Sequence, residues 1–260
     1  MLPKGYARVD IVDDSYFSNS IKNNERNKRG NSAKVIVSSN KSKIPRDFQA
    51  FLLNGENKTS LIKLIFETIK SNIAQTLNIL RCNELILANE NNCIKISLSS
   101  CTILEDYISN HEEADTKMIL HASKVLQELP DNKNIVIRSH SGDVDINVLA
   151  ISLFQEKQQQ IFIDFGKGVS RKGIWFSEIK LDEDERKSLL GLHAFSGNDY
   201  ISSFFRKSTF LCWKIMKLSD KFKVMFIDLG NTWTITNDLL EGLEVYVCKL
   251  YGYNEKSVDT

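Results

Sequence analysis

The sequence predicts an α/β fold with a mostly parallel central sheet flanked by helices. Three observations predict it. Short apolar runs of strand length alternate with stretches of helical period through the second half of the chain. Acidic residues stand where these runs end, which is where α/β sheets collect functional groups. Apolar residues make up 42% of 260 residues, enough for a substantial core, while charged residues at 26% suit a globular chain.

The elements follow in order. Val9–Val12 alternates toward a strand and ends at Asp13-Asp14. Tyr16–Arg29 is polar and basic and suits a helix or helical loop. Residues 30–45 are rich in Ser, Asn and Lys and suit an exposed, mobile segment. From Pro45 the period becomes helical. Phe48, Phe51, Leu52, Leu61, Leu64, Ile65 and Ile69 fit two amphipathic helices broken near Asn54-Gly55. Glu84–Ala88 and Cys93–Leu98 pair as a hairpin across residues 89–92.

Thr116–Leu129 is then a helix, with Ser109 or Asn110 as its cap. Asn134–Arg138 is a strand, Ile146–Phe154 a buried helix, and Ile161–Phe165 a second strand. A turn at Gly166–Gly168 leads to a return segment, Ile174–Phe176. A helix starting near Asp182 runs to Ala194. Trp213 and Trp233 sit among apolar neighbours and are expected in the core.

The charge balance is even, with 34 basic and 33 acidic side chains, so net charge excludes no partner class. Its distribution is more telling. Lys22, Arg26, Lys28 and Arg29 face a single acid, Glu25, in a local basic patch. The five cysteines form no CxxC pair and share no zinc spacing with the four histidines, so they read as reduced thiols. No secretory leader and no membrane-length apolar run is present. The expected location is nuclear or cytoplasmic, not secreted, with no membrane partner.

Acids carry the chemistry. Glu112-Glu113-Ala114-Asp115, Gly142-Asp143-Val144-Asp145 and Gly197-Asn198-Asp199-Tyr200 each fall at an element's edge. Asp13 and Asp14 add a fourth segment. Carboxylates gathered from distant segments repel one another, and a divalent cation relieves that repulsion. All-oxygen sets suit Mg²⁺ or Mn²⁺, and two ions could share this one. Each piece has a plainer reading beside it. Acids favour helix starts on dipole grounds, Asp199 could be a cap, and Asp143-Val144-Asp145 could be a solvated turn. The histidines His111, His121 and His193 read as local packing or hydrogen-bonding groups. Asp164 suits a strand-end turn, and Lys167, Arg171 and Lys172 a basic loop.

Glu113-Ala114-Asp115, Asp143-Val144-Asp145 and Gly197-Asn198-Asp199-Tyr200 resemble the internal motifs of flap-endonuclease-like nucleases in the PIN-like superfamily. Those enzymes carry an E-A-E helix start, a D-x-D after the next strand and a G-C/S-D-Y turn. Upstream, DIVDDSYFSNSIKNNERNKR resembles the family's strand ending in a metal-binding Asp, followed by cations that grip the scissile phosphate. The wording HEEADTKMILHA, RSHSGDVDINVLAIS and GLHAFSGNDYISSFFRK is closer still to a large group of animal proteins that looks like a divergent branch of that superfamily.

The resemblance implies a PIN-like, Rossmannoid domain over residues 1–202, with 30–100 as a variable helical and hairpin insertion. Residues 203–260 would be a helical C-terminal extension, expected to be truncated. The family's first strand and its Asp have no counterpart. It further implies Mg²⁺ or Mn²⁺, as two ions, held by Asp14, Glu113, Asp115, Asp143, Asp145 and Asp199. Lys22, Arg26 and Arg29 would act on the phosphate, and the partner would be nucleic acid, DNA ahead of RNA. The expected function is metal-dependent, structure-selective phosphodiester hydrolysis. The alternative is a catalytically inactive nucleic-acid- or protein-binding module on the same fold, or a fragment of a nuclease. A phosphotransfer enzyme with an Asp nucleophile is disfavoured, because Asp143-Val144-Asp145-Ile146-Asn147 lacks the DxDx[TV] pattern.

Overall fold

A computed structural model describes residues 5–17, 33–35, 37, 39, 41–89, 92–128, 133–139, 144–154, 160–197 and 201–253. The chain is mixed α/β and divides into two compact units, Met1–Lys124 and Val125–Thr260.

The first unit is built on a four-stranded sheet in the order β1-β2-β3-β4. Its strands are β1 (Tyr6–Val12), β2 (Cys82–Asn89), β3 (Asn92–Ile96) and β4 (Cys101–Ile103). The central strand β2 reads Leu85-Ile86-Leu87-Ala88, and all four side chains are buried. A strand buried on both faces needs such a continuous apolar run. Period 2 then divides it. Leu85 and Leu87 join Phe66, Leu77, Cys82 and Ile96 on one face. Ile86 and Ala88 join Cys93 on the other, under Val12, Tyr107 and Ile108.

Strand β1 lies parallel to β2, from Tyr6 opposite Cys82 to Val12 opposite Ala88. A parallel pair needs a long crossover. It carries α1 (Phe48–Leu53), α2 (Gly55–Ser71) and α3 (Ile73–Leu80). The expected break at Asn54-Gly55 is present. Asn54 ends α1, and its side chain accepts from the Glu56 and Asn57 N–H groups to start α2. Asn57 is fully buried and accepts from the Val35 N–H while donating to the Ala33 and Phe51 carbonyls.

The second unit contains β5 (Ile135–Ser139), β6 (Ile161–Phe165) and β7 (Lys172–Trp175). Strand β5 pairs parallel with β6 across α5 (Val144–Leu153), and β6 pairs antiparallel with β7. Helix α6 (Glu183–Ser196) opens with a capping box between Asp182 and Glu185, so the predicted start is one residue from the observed one. Helices α7 (Thr209–Met216), α8 (Asp220–Asp228) and α9 (Asn237–Leu250) share a core with α6. Tyr246 sits at its centre, completely buried, and donates to the Cys212 carbonyl at 2.8 Å. Phe222 and Phe226 meet its ring edge to face, with centroids at 5.3 and 4.8 Å.

Several expectations are corrected. One mostly parallel central sheet was predicted, but the described strands form two mixed sheets. Parallel pairing is confined to β1–β2 and β5–β6. The rest is antiparallel, because short turns return the chain directly beside itself. Trp233 is fully exposed, since its neighbours Asn231, Thr232 and Thr234 are polar and exposed. Trp213 is only partly buried against the helical core. Of the predicted helix at Tyr16–Arg29, Tyr16 and Phe17 are not helical and the remainder lies outside the described residues. Among the described residues, no helix is long and apolar enough to cross a membrane.

Gly191 marks the tightest crossing in the helical core. A Cβ there would stand 2.1 Å from the Phe226 carbonyl oxygen, and backbone yields little. Gly191→Ala is therefore expected to cost about 1–3 kcal/mol. Urea unfolding measures this, and an unchanged midpoint would refute the close packing of α6 on α8.

Candidate functional site

The first unit gathers acids at the carboxyl end of β1 and the start of α4 (Ala114–Glu128). After Val12 the backbone stays tied to its neighbours. The Asp13 N–H donates to the Ala88 carbonyl at 3.2 Å, and the Ser15 N–H donates to the Glu112 carbonyl at 2.8 Å. The two acids between them take different roles. Asp14 Oδ1 accepts from the Ala114 N–H at 2.8 Å, and the Tyr16 hydroxyl reaches Oδ2 at 3.4 Å. A helix start leaves its first N–H groups without intrahelical partners, and here a carboxylate from a distant strand takes one. Neither Ser109 nor Asn110 serves there. The helix begins at Ala114, two residues before the predicted Thr116.

Asp13 is the more unusual acid. Its Oδ2 is buried without a hydrogen-bond partner among the described residues. Burial first, and then the neighbouring Asp14 charge, push its carboxyl up to about 6. The Asp14 backbone N–H, Lys117 and Lys58 pull it partway back. Lys117 is itself buried, and its ammonium donates to the Asp13 carbonyl at 2.9 Å and to Ser15 Oγ at 2.7 Å. Glu113 immediately precedes α4 and Asp115 lies in its first turn.

A second polar group lies further back along β1. Asp10 Oδ2 meets His121 Nδ1 of α4 at 2.7 Å. Arg8 grips the same carboxylate with Nε at 2.6 Å and Nη2 at 2.7 Å. The guanidinium also stacks on the Tyr107 ring, 5.0 Å from its centroid. Burial alone would raise Asp10, but the His121 and Arg8 hydrogen bonds outweigh it and hold the carboxyl below its usual range. His121 Nε2 is buried without a partner among the described residues. Sequence reading missed Arg8, Asp10 and Tyr107. The available signal for Arg8 and Asp10 was their alternation with Val9 and Ile11 in YARVDIV, which marks a strand with a charged face, whereas nothing local pointed to Tyr107.

In the second unit Asp145 lies in the first turn of α5, and its Oδ1 is 3.1 Å from Nε2 of His193 in the last turn of α6. Gly197 ends α6 with φ of 107°, and a Cβ there would stand 2.5 Å from Ser203 Cα. Only glycine suits both demands. Asp164 belongs to a separate ion group. Arg171 foremost, with Arg138, holds its carboxyl low and occupies both oxygens.

Asp14, Glu113 and Asp115 thus belong to the first unit and Asp145 to the second. Asp143, Asp199, Lys22, Arg26 and Arg29 lie outside the described residues. Among the described residues, no three His, Cys, Asp or Glu side chains gather into a metal-holding group. The donors at the end of β1 nevertheless fit a hard cation. They are oxygens, and the orphaned Asp13 oxygen lies beside the charge of Asp14.

The raised Asp13 carboxyl has a definite consequence for stability. The folded chain keeps this proton to about pH 6, whereas an unfolded Asp releases it near its ordinary value of 3.8. Folded protein binds more protons in that window, so this group's contribution falls as pH rises from about 4 to 6. Asp13→Asn should stabilise the metal-free chain by about 1–2 kcal/mol at pH 8, after allowance for solvent screening, and by little at pH 4. Urea unfolding at both pH values checks this. An equal effect at both would show that Asp13 is not raised.

Comparison with known proteins finds no matching family model, no matching curated protein and no matching solved structure.

Proposed function

We propose that this chain hydrolyses phosphodiester bonds of nucleic acid with a divalent metal, on a PIN-like, flap-endonuclease-like plan. The observation that supports it best is the carboxyl end of β1. There an orphaned, elevated Asp13 carboxyl stands beside Asp14, which is fixed on the start of α4 between Glu113 and Asp115. Asp13, Asp14, Glu113 and Asp115 are the proposed metal carboxylates of the first unit, and Asp143, Asp145 and Asp199 are the remaining acids that the family resemblance implies. Bound Mg²⁺ or Mn²⁺ supplies an activated water and charge stabilisation at the leaving oxygen.

The chain's own groups prepare that chemistry. The Ala114 N–H and Tyr16 hydroxyl orient Asp14. Lys117 fixes the backbone at Asp13 and the Ser15 hydroxyl, so the turn carrying both acids is rigid. In the metal-free chain Asp13 keeps its proton to about pH 6, and a bound cation would draw it to the anionic form at lower pH. Lys22, Arg26 and Arg29 are proposed to neutralise the phosphate as negative charge builds in the transition state. DNA is preferred over RNA as the substrate.

One observation favours a second reading. Lys117 already supplies a buried cation at the acid cluster, as a metal-independent module would need. That module would bind nucleic acid without cutting it.

Cleavage of single-stranded, nicked and flap substrates in Mg²⁺ or Mn²⁺ separates the two. Hydrolysis is expected, falling at least about 100-fold in Asp14→Ala and Asp143→Ala. Binding without cleavage in either metal selects the binding module. Neither binding nor cleavage refutes both.

A further inference from the structure

In the second unit, the segment from Ile201 to Ser219 carries four cations, Arg206, Lys207, Lys214 and Lys217, and no acid. Its aromatic residues divide by environment. Phe204 turns inward onto Phe195, with centroids 5.2 Å apart, while its neighbour Phe205 is 74% exposed. On α7 the buried side is Cys212 and Met216, and Phe210 stands outward at 64% exposure. Cations lie over the exposed rings. Arg206 is 5.0 Å from the Phe205 centroid, Lys214 is 4.6 Å from Phe210, and Lys207 is 4.6 Å from Tyr251 at the end of α9. Lys217 differs, because it pairs with Glu185 at 2.7 Å and covers the partly buried Trp213.

The loop that presents these groups is held in place. Arg206 adopts φ of 56°, a left-handed conformation that a non-glycine side chain rarely takes. The Lys207 N–H closes the turn on the Phe204 carbonyl at 3.0 Å, and the Tyr251 hydroxyl donates to the Phe205 carbonyl at 3.3 Å. A strained turn fixed at both ends keeps Phe205 outward.

We propose that this face binds single-stranded nucleic acid, stacking bases on Phe205, Phe210 and Tyr251 while Arg206, Lys207 and Lys214 meet the phosphates. Exposed aromatic faces with adjacent cations match the two components of an unpaired strand, its base faces and its charged backbone. A duplex keeps its base faces stacked inside and offers these rings nothing to stack on. Arg206, Lys207 and Lys214 beside these rings favour a negatively charged partner. This proposal extends the nucleic-acid reading of the chain but needs no metal and no cleavage.

The test uses the full chain in EDTA, with fluorescence anisotropy of a labelled oligo-dT of about 20 nucleotides and a duplex of equal length. Oligo-dT is expected to bind more tightly than duplex. The double variant Phe205→Ala/Phe210→Ala should bind about ten-fold or more weakly with its salt dependence retained. Lys207→Gln/Lys214→Gln should bind more weakly and flatten the salt dependence. Both pairs are exposed or half-buried, and circular dichroism confirms that the variants fold. Wild-type affinity in the Phe double variant, preference for duplex, or binding to phosphatidylserine vesicles in place of oligo-dT would overturn the proposal. Asp143→Ala should bind oligo-dT as wild type does. No cleavage by the wild-type chain in Mg²⁺ or Mn²⁺, with aromatic-dependent binding intact, counts against hydrolysis alone, and cleavage without aromatic dependence of binding counts against this face alone.

Discussion

The seam between β1 and α4 organises the first unit. Four hydrogen bonds join β1 and the turn that follows it to α4. The Ala114 N–H meets Asp14, Lys117 meets the Asp13 carbonyl and Ser15, and His121 meets Asp10. On the helix these positions are spaced by three and four residues, which is one face. On the strand they run in the opposite direction. The lengths are comparable, since seven helical residues rise about 10 Å and the four steps from Asp10 to Asp14, strand then turn, span at most about 13 Å. The helix is thus held antiparallel to the strand, and its N-terminus is fixed at the point where β1 ends. This seam brings Asp14 onto the start of α4.

Two carboxylates on the same short segment show how partners decide ionisation. Asp10 is half-buried, yet it is held below its usual range because His121 and Arg8 hydrogen-bond to it. Asp13 has one oxygen without a donor among the described residues and a like charge beside it, and its carboxyl moves up to about 6. Burial acts in the same direction on both. Hydrogen bonding separates them. A carboxylate of the first kind serves the fold, since its charge is already satisfied. One of the second kind stores an unfavourable interaction, and a cation would relieve it.

Much of the local structure was legible in the sequence, because local rules govern it. The strand at Val9–Val12, the break at Asn54-Gly55, the hairpin before Leu98 and the cap at Asp182 each follow from side chains a few residues apart. What the sequence concealed is long-range. The partner of the α4 N-terminus is Asp14, a hundred positions away, so nearby Ser109 and Asn110 were the natural guesses. Beyond Val12 the chain leaves the ladder, alternation lapses, and the backbone hydrogen bonds of Asp13 and Ser15 set the directions instead. Trp233 followed a composition rule that its polar neighbours override.

The acid group at the end of β1 and the aromatic–cation face of the second unit obey different physics. The orphaned oxygen of Asp13 is shielded from water, so its interactions keep their strength in salt. The rings and ammonium groups of Phe205, Phe210, Lys207 and Lys214 are exposed or nearly so, and their Coulomb attraction is screened within a Debye length of about 8 Å at physiological ionic strength. Stacking is not screened. Added salt therefore weakens phosphate contacts first and leaves the aromatic contribution, while the β1 end is altered by protons or a bound cation. Each region answers to its own variable, and this follows from burial alone.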